Sequence, residues 1–222
     1  MAIAYDFSST GNANPGTSVT VAHTCTGSNL LLIVGILTND TTDKVTGVTY
    51  NGVAMTRLAA YQAVTTNFYG FTYYLLNPAT GANNVVASRS DSGLIGIMNA
   101  SYTGVSQSGF PDSNASGTDA TGDFSATTTV VAANCWLWAN VRSNNNVSGI
   151  TAGASTTIRQ NVFGSAGVMA DSNATVGTGA QSLNFVVNNG GETYWHGVSF
   201  APAAAAGGAA RDARLLTLLG VG

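Results

Sequence analysis

The side chains able to do acid–base or nucleophilic chemistry near neutral pH are two histidines, His23 and His196, and two cysteines, Cys25 and Cys135. Histidine titrates in that range without a large shift, and a thiol becomes a nucleophile once a neighbouring base takes its proton. In His23-Thr24-Cys25 the alternation of a strand sets ring and thiol on one face, and Asp40 is an acid that could orient the ring. No local signature of a cysteine enzyme surrounds the pair, so the expectation is a strand-end histidine beside a buried thiol.

The same four residues form a Cys₂His₂ set on paper, but they lack the closely paired ligands of structural zinc sites. Asp112, Asp119 and Asp123, with Asn114, offer oxygen ligands for calcium in an order that matches no EF-hand loop. The sequence therefore leads us to expect no catalytic residue, no cofactor and no metal.

Trp136 and Trp138, two apart in CWLWANV, project from one face of a strand. Aromatic faces pack against sugar rings, and the surrounding Asn and Ser supply neutral hydrogen bonds, so these two are the candidate glycan contacts. Leu137 between them makes both faces apolar, which favours a strand buried on both sides.

The elements that must position these residues read as strands. Runs rich in β-branched and aromatic residues, bounded by Gly, Asn, Pro and Ser, recur from Ile3–Phe7 through Ser18–His23, Asn29–Leu37, Val45–Tyr50, Val53–Ala63 and Phe68–Leu76. They continue at Asn84–Ser88, Leu94–Tyr102, Phe124–Val131, Cys135–Val141, Thr156–Val162, Gly167–Asp171, Ser182–Val187 and Tyr194–Phe200. In VTGVTYNGVAMTRL, Asn51-Gly52 suits the positive φ values of a two-residue type I′ hairpin. The stretch from Gly104 to Gly122 is weakly patterned and reads as a long loop. The expected fold is all-β: an antiparallel β-sandwich, jelly-roll-like, with an extended C-terminal tail. About 200 residues of strand make one large sandwich or two small ones, and with no charged or Pro-rich linker before Phe200 one domain over residues 1–200 is the simpler reading.

Composition limits the partners. Only 8% of the 222 residues are charged and 45% are hydrophobic, where about a quarter charged is usual. The surface must then be Ser, Thr, Asn, Gln and Gly. A net charge of −3 offers no basic patch for phosphates, so nucleic acid and anionic membranes are excluded as expected partners. The longest apolar run, Leu30 to Leu37, is far short of the ~20 residues that span a bilayer. MAIAYDFSSTG shows no secretory signal, so the protein is expected to be made in the cytoplasm and to leave, if it does, by a route such as lysis.

Composition shifts abruptly after Phe200. APAAAAGGAA reads as a flexible linker and RDARLLTLLGVG after it as an apolar hook, the two together making up residues 201–222. Leu215, Leu216, Leu218, Leu219 and Val221 are too few to fold alone but suit docking into a groove or onto a sheet edge, with Arg211 and Arg214 at the entrance. A homo-oligomer held partly by this hook is the expectation.

At VTGVTYNGVAMT, YYLLNPATGANNVVAS and SYTGVSQSGFPD, over roughly Leu30 to Asp112, the sequence resembles a loosely defined group of β-sandwich proteins of tailed bacteriophages and bacterial genomes. That resemblance implies a virion location and a role as a capsid decoration protein, a tail or fibre module, or a host-glycan binder, and it carries over no catalytic residues. The expected function is a non-enzymatic virion structural protein, most consistent with capsid decoration. The alternative is a lectin-like carbohydrate-binding or host-recognition module.

Overall fold

The computed structural model describes residues 1–62, 68–120, 122–143, 149–164, 166–188 and 192–204. Fifteen strands and no helix occur among them, in antiparallel sheets. They are β1 (Ala4–Cys25), β2 (Leu31–Thr38), β3 (Val45–Tyr50), β4 (Val53–Ala54), β5 (Thr56–Gln62), β6 (Tyr69–Leu76), β7 (Gly81–Thr103) and β8 (Ser113–Asp119). The chain continues through β9 (Phe124–Val130), β10 (Trp136–Ser143), β11 (Ile150–Ala152), β12 (Thr157–Val162), β13 (Gly167–Asp171), β14 (Gly179–Val187) and β15 (Thr193–Phe200).

Strands β1 and β7 pair along almost their whole length, Ala4 opposite Thr103 and Cys25 opposite Gly81. The first part of β7 also pairs β3 and its last part pairs β2, so this long ribbon runs through both layers of one sandwich. In the second half of the chain the layers are separate sheets, β12-β13-β10-β15-β8 and β11-β14-β9.

Matching the ladders strand by strand shows one topology used twice. β2 lies between β7 and β6 as β10 lies between β15 and β13, with Leu31 opposite Tyr102 and Trp136 opposite Phe200. β5 pairs β6 with a register shift between Arg57 and Ala59, and β12 pairs β13 with the same shift between Ile158 and Gln160. β3 on β7 corresponds to β11 on β14, the two parts of β1 correspond to β8 and β9, and Gly81 opposite Cys25 corresponds to Gly179 opposite Val130. Both glycines hold a left-handed φ, 90° and 89°, as do Asn29 and Asn134 in the matched turns, at 51° and 60°. The second half is thus an eight-strand sandwich of the jelly-roll kind, and the first repeats it with β1 and β7 each spanning two of those strands and β4 added beside β3.

The two are fused by packing. Leu32, Val34 and Ile36 on one face of β2 enter the core of the first sandwich, while Leu137, Ala139 and Val141 on one face of β10 enter that of the second. The opposite faces meet in a third cluster in which Leu31, Ile33, Met98 and Tyr102 lie with Trp136, Trp138, Met169 and Phe200. β2 and β10 are consequently buried on both faces, which is why LLIVGILT and WLWANVRS lack the alternation of a half-exposed strand.

Several sequence expectations change. Ile3–Phe7 and Ser18–His23 are parts of one strand because the polar stretch between them is zipped onto β7, and Asn84–Ser88 and Leu94–Tyr102 merge for the same reason. The Gly104–Gly122 stretch is not one loop: Ser113–Asp119 pairs β15 throughout, a tertiary partner that its own composition does not announce. The Asn51-Gly52 hairpin forms as expected, with φ of 49° and 75°.

Candidate functional site

His23 sits inside the first sandwich, 1% exposed, with Nδ1 hydrogen-bonded to Ser9 Oγ at 2.8 Å. Asn99 Nδ2 donates to the same hydroxyl at 3.0 Å, so a serine and an amide, not a thiol, are the ring's polar neighbours. Burial lowers the ring's pKa to about 4, opposed by the Asp6 carboxylate. Cys25 is buried, and burial raises its thiol pKa above the ordinary value, with Asp6 adding in the same direction. A thiol so placed stays protonated at neutral pH, the reverse of an activated nucleophile.

His196 belongs to the interface between the sandwiches. Its Nδ1 meets Thr72 Oγ1 at 2.8 Å, its Nε2 lies 3.4 Å from Asn114 Oδ1, and its ring stacks on Tyr61. Burial lowers this ring to about 4 as well. Cys135 donates to the Ala132 carbonyl from the second core, its pKa pushed up to about 12 by burial and then by Asp112. The four zinc candidates therefore belong to three different environments, and among the described residues no group of three or more His, Cys, Asp or Glu side chains could hold a metal ion.

The acids of the supposed loop are apart too. Asp112 and Asp119 bracket the extended strand β8, about 23 Å of chain. Asp112 accepts from the Val131 and Ala132 amides at 2.9 and 2.8 Å and from Ser199 Oγ at 2.8 Å. Burial alone would raise its carboxyl, yet these hydrogen bonds outweigh that and hold it below the ordinary value. Asp6 does the same work in the first sandwich, accepting from the Thr26 amide and hydroxyl and from Ser101 Oγ. Thr26 matches Val131 and Ser101 matches Ser199 in the two ladders, so both aspartates tie the turn before the doubly buried strand to the last strand of its sandwich. Sequence reading missed this pair; the signal was an Asp directly ahead of each Ser/Thr/Asn/Gly-rich stretch, Asp6 before FSSTGNA and Asp112 before SNASGTD.

Trp136 and Trp138 cannot act as a sugar platform. Trp138 is fully buried and Trp136 is 6% exposed, packed edge-on against Tyr102 in the cluster between the sandwiches. The tail residues Arg211, Arg214, Leu215, Leu216, Leu218, Leu219 and Val221 lie outside the described residues.

Among the described residues two cations are buried. Arg89 is paired with Asp40 and Asp91 at 2.7 and 2.9 Å. Arg142 lies between the rings of Phe68 and Phe163, 4.3 and 5.0 Å from their centroids, and reaches Asn39 at 3.3 Å. Burial lowers it to about 10, with Tyr61 opposing. Nothing in either arrangement resembles an acid–base pair open to a substrate.

One open depression among the described residues is a shallow one on the outer layer of the first sandwich, lined by Ala22, Thr49, Asn51, Gly52, Ala82, Asn83, Asn84 and Val86. Its floor is small and apolar, its rim is amide and hydroxyl, and it carries no charge. In the second sandwich the matched positions are occupied differently: Thr127 and Ser182 are hydrogen-bonded at 2.8 Å, and Asn184 Nδ2 donates to the Ala154 carbonyl.

No family model matches the chain, and no curated protein or solved structure matches it either.

Proposed function

We propose that this chain is a non-enzymatic structural protein of a virion, of the capsid-decoration kind, that assembles through subunit contacts including its C-terminal segment 205–222. The observation that carries the reading is the fixed root of that segment. Ala203 donates to the Gly104 carbonyl at 2.7 Å and its own carbonyl accepts from the Met1 ammonium at 2.8 Å, so the residue just before that segment is tied to the folded body on both sides. A surface rich in Ser, Thr and Asn and poor in charge, with both histidines buried, supports the same reading, because most of its contacts are insensitive to salt.

Deleting residues 205–222 is the test. Thermal unfolding is expected to be unchanged while co-sedimentation with virus particles is lost; retention of the truncated chain on particles overturns the proposal.

A second reading, binding of a host-surface glycan, draws on the neutral depression around Asn84. Here the contact residues are Thr49, Asn51 and Asn84 in place of the tryptophans. Saturable binding of a neutral oligosaccharide that Asn84→Arg abolishes supports this reading, and binding untouched by that change removes it.

A further inference from the structure

We infer that the free edge of β1 is a pairing surface for a second copy of this chain, joined edge to edge through residues 16–25. The inference rests on the proposed assembly role but uses a different surface from the tail. β1 pairs only β7, and its other edge has no strand partner among the described residues. Such an edge exposes a row of unmatched amides and carbonyls, and natural proteins usually guard it with lysines, inward charges or a covering element.

Here the guard is missing. From Phe7 to Asn39 the chain carries no Asp, Glu, Lys or Arg, and His23 is buried neutral. GTSVTVAHTC alternates in the way of a regular strand, with Val19, His23 and Cys25 buried and Ser18, Thr20 and Ala22 exposed. Ten residues at about 3.3 Å each make an edge roughly 33 Å long. The register shifts between Ala13 and Gly16 and between Gly16 and Ser18 end the regular part of this segment at Ser18, so Ser18–Cys25 carries the pairing.

The internal repeat says why the partner binds this edge and not its counterpart. In the second sandwich the matched edge strand is β9, with Asp123 directly before its first residue and Asp112 bound to the amide after its last. An antiparallel self-pairing there sets Asp123 of one copy beside Asp112 of the other, whereas on residues 16–25 the position matching Asp123 is Ser18, so Asp6, held at Thr26 as the counterpart of Asp112, meets no second acid. Like-charge pairs across strands are unfavourable, so neutrality selects a second copy of β1 over a charged partner. The product is a twofold sheet in which the outer layers β3-β7-β1 of two copies become continuous.

Light scattering on the chain ending at Ala204 tests the edge without the tail. A dimer of the trimmed chain is expected, and a monomer at all concentrations overturns the inference. The double variant Thr20→Lys/Ala22→Lys sets lysines of the two copies within cross-strand reach and is expected to be monomeric, with unchanged circular dichroism. Mixing it with Thr20→Glu/Ala22→Glu is expected to restore a dimer of one chain of each kind. A dimer that survives the lysines, or a mixture that stays monomeric, overturns the inference. Thr127→Lys on β9 is expected to leave the dimer intact. If the trimmed chain dimerises but particle binding is indifferent to the tail, the edge stands and the decoration reading falls.

Discussion

Gly35 of β2 lies directly against Asn140 of β10: a Cβ at position 35 would stand 2.7 Å from the Asn140 Cγ. The two residues occupy the same position in the two copies of the repeat, so the sandwiches cross at matched points of their doubly buried strands. Asn140 Nδ2 donates to the Phe71 carbonyl at 3.2 Å, and Tyr61 donates to the Asn140 carbonyl at 3.3 Å, which fixes the amide from the other sandwich. Gly35→Ala is therefore expected to destabilise by about 1–3 kcal/mol, the range for forcing atoms into a packed interior. Denaturant unfolding measures it, and an unchanged midpoint contradicts so close an approach.

The paired aspartates make a second expectation. Asp6→Ala removes the acceptor of the Thr26 amide and hydroxyl and of one Ser101 hydrogen bond, and Asp112→Ala that of the Val131 and Ala132 amides and of one Ser199 hydrogen bond, a loss of about 1–3 kcal/mol each. Because the two sites serve the same purpose in different sandwiches and share no partner, their effects are expected to add in the double variant. A double variant no worse than either single one contradicts the repeat.

Acid should unfold the protein through its histidines. His23 and His196 are neutral when folded, with pKa values of about 4, and titrate near 6.5 when unfolded. Between those limits the unfolded chain binds more protons, so stability is complete above pH 6.5 and declines as the pH falls towards 4, by up to about 3 kcal/mol per ring. His196→Met, which installs the residue of matched position 98, is expected to flatten that slope over the same window. Unfolding followed at pH 7, 6, 5 and 4 checks both, and a flat profile in the native protein contradicts it.

The thiols offer a simpler check. With Cys25 and Cys135 buried and their pKa values raised, neither is expected to react with a disulfide reagent at pH 8 until the protein unfolds. Prompt reaction in the native state would mean one of them is open to solvent.

How far the sequence could be read follows from where each signal resides. Alternation and turn chemistry are local, and they located most strands and the Asn51-Gly52 hairpin. β8 was hidden because SNASGTD has no strand-like composition and is extended only by its partner β15. The repeat was hidden because matched positions carry unlike residues: Leu31 and Trp136, Ile33 and Trp138, Gly35 and Asn140, Leu37 and Arg142. Those faces look at each other across the third cluster, where a large residue on one side needs a small one opposite, so the two copies diverge at the places a sequence comparison would use. Trp136 and Trp138 show the same limit. Periodicity placed them on one face of a strand and could not tell a face turned to solvent from one turned to a second sandwich.

The most direct test of the assembly account is the molar mass in solution of the full chain, 22.4 kDa as a monomer, beside that of the version ending at Ala204. The account requires the full chain to form a larger assembly than the trimmed one, which stays a dimer. Equal masses for the two versions would contradict a role for the C-terminal segment in joining subunits.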